Sequence, residues 1–133
     1  GQLYLFETVG TLISILNQVP TQQVTLLRSA LAPLLSSLQT SVRTNVTTVE
    51  DFAAVFRVHH LILAVGNVGK GFPDLSIRVP VPSGSWVEIF KEATEGILTA
   101  AKSMSQFVII REAVSFFLRY FPLTLWMTDE IIL

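Results

Sequence analysis

The stretch TVEDFAAVFRVHHLILAV, Thr48 to Val65, decides the fold. It opens on a capping box, Thr48-Val49-Glu50-Asp51, with Asp where Glu is usual, so a helix begins there. Phe52, Val55, Phe56, His59 and Leu63 recur on one face, and Ala54, Val58, Leu61 and Val65 on another. A helix apolar on two faces is sandwiched between neighbours on both sides. Gly66 and Asn67 are the expected stop.

Working outward, four more helices separate. Towards the start, Gln2 to Leu16 carries Phe6, Val9, Ile13 and Leu16 at helical spacing, with Leu5 and Leu12 widening the stripe. Asn17 is a plausible stop and Pro20 opens the next helix. Thr21 to Arg43 aligns Val24, Leu27, Leu31, Leu34, Leu35, Leu38 and Val42. Pro33 sits inside it, removes a backbone donor and predicts a kink or break near Leu31. Towards the end, residues 67–84 hold Gly69, Gly71, Pro73, Pro80, Pro82 and Gly84 and read as a long irregular loop. Ile77, Val79 and Val81 alternate, which admits a short extended piece, but the prolines argue against a central strand. A second capping box, Ser85-Trp86-Val87-Glu88, starts a helix running to about Lys102, with Ile89, Ala93, Ile97, Ala100 and Ala101 inward. Ser103-Met104-Ser105-Gln106 opens the last helix. There Phe107, Ile110, Val114, Phe117, Leu118 and Phe121 pack, Arg111, Ser115 and Arg119 form a polar stripe, and Pro122 closes it.

The first, third and fifth helices start near residues 3, 50 and 105, close to the repeat of about 40–47 residues of HEAT and armadillo units, with the second unit lengthened by the long loop. The expected fold is all-α: a HEAT/armadillo-like α-α superhelix of about two and a half helical hairpins. The units fall roughly at 1–46, 47–103 and an incomplete 104–133, with the loop at 67–84. A compact bundle is the competing architecture. Apolar residues near both ends, Leu3 to Phe6 and Ile131 to Leu133, with Asp129-Glu130 reading as a new helix start, predict one segment of a larger solenoid. Such a segment exposes apolar cut ends and is expected to self-associate or to be only marginally stable alone.

Composition narrows the chemistry. Half of the 133 residues are apolar and 14% are charged, so a packed core is available. Nine Lys and Arg against ten Asp and Glu give a net charge of −1, which does not announce a nucleic-acid or membrane-surface binder. There is no cysteine, which excludes disulfides, thiol catalysis and Cys-based zinc sites. The longest uncharged stretch, Thr8 to Leu27, has Asn17, Gln18, Pro20, Gln22 and Gln23 at its centre, and a membrane-spanning helix needs ~20 mostly apolar residues. No membrane insertion is expected. No basic run precedes the first apolar stretch, so no secretory signal is expected, and the sequon Asn45-Val46-Thr47 reads as accidental.

His59 and His60 are adjacent helix positions about 100° apart and cannot share one ion, so no metal site is expected. Glu50-Asp51 reads as compensation of the helix dipole. Gly66-Asn67-Val68-Gly69-Lys70-Gly71 has the wrong spacing for a phosphate loop. No Ser/His/Asp set can be assembled, so no catalytic residue, cofactor or small-molecule substrate is expected, and the chain reads as a non-enzyme. Arg43, Arg57, Lys70, Arg111 and Arg119 remain as candidate contacts to phosphate or an acidic partner. The competing reading is solubilising charge on exposed faces.

Three stretches carry a resemblance. QLYLFETVGTLI (Gln2 to Ile13), LLRSALAPLL (Leu26 to Leu35) with its internal proline, and LAVGNVGKGFP (Leu63 to Pro73) resemble the exportin-T family, and the similarity continues more weakly through the fifth helix. The resemblance implies a karyopherin of the importin-β superfamily, built of HEAT repeats. It implies partners: tRNA, the GTPase Ran in its GTP form, and nuclear pore proteins. It also implies shuttling between nucleus and cytoplasm and no catalysis. In that setting the segment mainly supplies solenoid curvature and spacing, with contacts to cargo or Ran as a secondary role. The rival is a HEAT-repeat scaffold of a non-transport complex, which the helices alone do not separate from it.

Overall fold

The computed structural model describes residues 2–72 and 85–121. Among the described residues five α-helices follow one another: α1 Gln2–Ser14, α2 Pro20–Ser41, α3 Val49–Lys70, α4 Trp86–Ser103 and α5 Val108–Tyr120, with a 3-10 turn at Ile15–Gln18 after α1. Among the described residues there is no strand. Residues 73–84, with the alternation at Ile77, Val79 and Val81, and the helix start at Asp129 lie outside the described residues.

The main contacts skip one element. α1 packs on α3 and α3 on α5, while α2 packs on α4, giving two layers with α2 also seated against α3. This is the stacking of a HEAT-like solenoid, in which each hairpin buries a face that it cannot bury alone. α3 is the central helix. It buries Ala54, Val55, Val58, Leu61, Ile62, Ala64, Val65 and Val68. Of the face expected from Phe52, Val55, Phe56, His59 and Leu63 only Val55 is buried, and Phe52 and Phe56 are exposed, because the neighbouring helices close over the other side of α3 near its start. It is long and apolar enough to cross a membrane by length and composition, contrary to the expectation that no segment is. Its burial comes from its neighbours: 61% of that window lies inside the protein.

The capping box at Thr48 forms as read. The Thr48 hydroxyl accepts from the Asp51 N–H at 3.1 Å, and the Asp51 carboxylate accepts from the Thr48 N–H at 3.1 Å. The expected stop at Gly66-Asn67 does not. α3 continues to Lys70 because Gly66 and Gly69 are packing positions. A Cβ on Gly66 would come within 2.8 Å of the Phe116 ring, and one on Gly69 would collide with the Phe121 ring. The aromatic packing offsets the ~1 kcal/mol that a glycine costs inside a helix. α3 and α5 run parallel, since Phe52 meets Phe107 edge-on at 6.3 Å near their starts and Gly69 meets Phe121 near their ends.

α2 runs unbroken through Pro33, so the expected break near Leu31 is absent. Leu27, Leu31 and Leu38 are buried on both sides of the proline, and each contributes about 1.5–3 kcal/mol. Ser85 caps α4 through the Val87 N–H at 3.3 Å. The signal at Ser103 to Gln106 caps nothing. Met104 is fully buried and draws that stretch into a turn, and α5 begins after Phe107 with no side-chain cap.

α1 departs furthest from its sequence reading. Of its expected core stripe, Ile13 is buried, while Leu5, Val9 and Leu12 are exposed. Its inner face is built on Gly10 instead. A Cβ there would collide with the Val68 carbonyl, and one on Gly71 would collide with the Thr11 backbone nitrogen. The two backbones cross almost in contact. Gln23 of α2, buried, holds the end of α1 by donating to the Ile13 carbonyl at 3.2 Å and the Ser14 carbonyl at 3.1 Å. That meets acceptors every helix end leaves open.

Candidate functional site

The five candidate cations do not converge. Arg43 follows the end of α2, where its guanidinium donates to the Thr40 and Val42 carbonyls at 3.0 Å and pairs with Asp51 at 3.5 Å. Arg57, on α3, reaches the same turn through the Ser41 hydroxyl at 3.4 Å. Lys70 ends α3, about 20 Å further along the axis, and pairs with Glu7 of α1 at 3.7 Å. Arg111 donates to the Ser105 carbonyl at 2.6 Å, which ties the first turn of α5 to the turn before it. Arg119 is exposed in the last turn of α5, about 12 Å along the helix, and among the described residues it has no ion pair or hydrogen bond.

Most of this charge has local work. Asp51 shows it best. The backbone N–H of Thr47 donates to its carboxylate at 3.1 Å, and the Thr48 N–H does likewise. These donors, with the Thr48 hydroxyl and Arg43 adding to them, hold its carboxyl below the usual carboxylate range. The Arg43 charge is thus partly neutralised at the α2–α3 turn. The same holds for Lys70 beside Glu7, and for Arg28 of α2, which meets Glu92 of α4 at 3.4 Å across the other layer. Glu7 and Glu92 as partners were not legible in the sequence, because the pairs span hairpins. Asp51 lies eight positions from Arg43 across a turn whose geometry no local pattern specifies.

Other sequence features find structural roles. His59 and His60 are half-buried on α3, and among the described residues no group of three metal-binding side chains assembles. The glycine-rich run from Gly66 to Lys70 is helix, so its N–H groups beyond the first turn are spent on the helix itself. The densest cluster is aromatic: Phe72, Trp86, Phe90, Phe117 and Phe121 join the end of α3 to α4 and α5, with Phe90 stacked on Phe121 at 4.4 Å. It is packing, and its one polar side-chain group is the Trp86 indole N–H.

A family model described as Exportin-T matches residues 1–124. An Exportin-T of Mycosarcoma maydis is 43% identical over 113 residues, covering 85% of this chain and 10% of that protein. One from Laccaria bicolor is 40% identical over 120 residues, covering 87% and 11%. One from Aspergillus terreus is 33% identical over 121 residues, covering 87% and 12%. The chain spans about a tenth of the length of these curated relatives. No solved structure matches it. The family model covers nearly all of the solenoid described above, and the chain belongs to the Exportin-T family.

Proposed function

We propose that this chain is one segment of a nuclear export receptor, a longer HEAT-repeat solenoid that carries tRNA from nucleus to cytoplasm together with Ran in its GTP form. Its membership of the Exportin-T family carries the reading. The receptor shuttles between the two compartments, meets nuclear pore proteins on the way, and performs no catalysis. The repeat units in this reading are roughly 1–46, 47–103 and an incomplete 104–133. This segment's share is curvature and spacing, because Arg43, Lys70 and Arg111 already have partners within the fold. Arg57 and Arg119 are the candidates best placed to add a phosphate or acidic contact, since Arg57 has only a weak hydroxyl partner. A solenoid couples cargo and GTPase through small shifts between repeats, and such coupling is reciprocal.

The test is tRNA binding by the full-length protein at two salt concentrations, with and without Ran carrying a non-hydrolysable GTP analogue. Binding that needs the GTPase supports the reading. Arg119→Glu then lowers the salt slope by about one unit if this segment touches phosphate, and leaves it unchanged if it does not. No binding in either condition overturns the export reading and leaves the general scaffold.

A further inference from the structure

The two helices that flank α3 are gripped differently. α5 is held along its whole length. Phe107 meets Phe52 at its start, and Ile110, Ala113 and Phe117 are buried along it. The Phe116 and Phe121 rings fill the notches at Gly66 and Gly69. A ring lodged in a notch fixes the register, because any slide must first lift it out of a close-packed interior. α1 is held near one end. Ile13 is its one buried side chain, and Gln23 donates to the carbonyls of Ile13 and Ser14. The crossing at Gly10 and Gly71 is backbone on backbone, so no side-chain ridge seated in a groove sets its angle. From Gln2 to Phe6 no residue is buried. The ion pair of Glu7 with Lys70, at 3.7 Å, ties that half to α3, with side chains 34% and 41% exposed. Such a pair is a weak tie.

We propose that α1 is a moving arm: it swings about its clamped end, while α2 to α5 travel as one block, with Glu7 and Lys70 as a weak latch on the swing. The proposal rests on the solenoid-segment reading above and concerns where the bending is concentrated. Leu27, Leu31 and Leu38 of α2, with the stacked Phe90 and Phe121, hold the block together. Elements with few buried apolar contacts move at the lowest free energy, and α1 has the fewest here. A swing of α1 changes the angle between the repeats before it and the block after it. A bend imposed by a partner elsewhere on the solenoid is therefore taken up at the α1–α3 joint, and the α3–α5 joint stays fixed.

The experiment is pulsed electron-spin distance measurement in the full-length protein, without cargo or GTPase. Nitroxide labels go on through genetically encoded reactive residues at three exposed positions, Gln2 of α1, Ala53 of α3 and Ser115 of α5, two at a time. The expected result is a Gln2–Ala53 distance distribution at least twice as broad as the Ala53–Ser115 one. Glu7→Gln is expected to broaden the first distribution further and to leave the second unchanged. Equal widths overturn the proposal, and so does a broader Ala53–Ser115 distribution. Broadening of both pairs by Glu7→Gln overturns the latch, since the pair would then support the whole fold. Failure of the full-length protein to bind tRNA or Ran, in the test above, overturns the export reading and leaves these widths as they are.

Discussion

The rings of Phe72 and Trp86 meet at 4.6 Å, closing the chain on itself at the two ends of residues 73–84. Phe72 is buried, and both rings also touch Phe90. The described residues on either side of that stretch are therefore held together by one aromatic clasp.

Phe72→Ala removes the ring that touches both Trp86 and Phe90 and is expected to cost about 3 kcal/mol. In a Trp126→Phe background, urea unfolding gives the loss, and Trp86 emission moves to the red as its ring is wetted. An unchanged midpoint and unchanged emission would show that the clasp does not hold the stem.

Two glycines give opposite expectations for the same substitution. Gly10→Ala drives a methyl into the Val68 carbonyl at the α1–α3 crossing and should destabilise by about 1–3 kcal/mol. Gly96→Ala meets nothing within 4 Å in α4 and should stabilise by about 0.5–1 kcal/mol through helix propensity. Thermal melts of both variants decide it. Equal shifts of the same sign would refute the close crossing.

Gln23→Leu keeps the bulk of the side chain but leaves the Ile13 and Ser14 carbonyls without their donor. A loss of about 1–3 kcal/mol is expected. Hydrogen exchange should quicken at the end of α1 before anywhere else. Uniform quickening would mean that Gln23 supports the whole fold rather than this joint.

Asp51 predicts a pH dependence. Its folded-state pKa lies below the ordinary value, so the folded chain binds that proton less readily than the unfolded one. Its contribution is complete above the ordinary carboxylate value of about 3.9 and is lost as pH falls through the lowered folded value. Asp51→Asn should therefore be less stable than the parent at about pH 6, with the gap closing at about pH 2. A gap that stays constant with pH would point to the hydrogen bonds alone and not to the charge.

The helices were legible because apolar spacing and caps are local: Thr48 with Asp51 marked the start of α3, and Pro20 opened α2. What escaped was tertiary. Periodicity says that Leu5 and Leu12 share a side of α1, but not that Gly10 turns the other side towards Val68. Gly66 carries a stop signal until Phe116 is placed against it. Pro33 carries a break signal until Leu31 and Leu38 are buried around it. The candidate cations were legible as charges, but not the partners of Arg43 and Lys70, because Asp51 and Glu7 reach them across a turn and a hairpin.

The alternating layers also set an order of assembly during synthesis. The main neighbours of α1 are α2 and α3, so they have all been made by the time Gly71 has been added. Partnerships this close in sequence form quickly, and the first hairpin can settle onto α3 while the rest is still on the ribosome. α5 arrives last, onto a surface that α3 and α4 have already built.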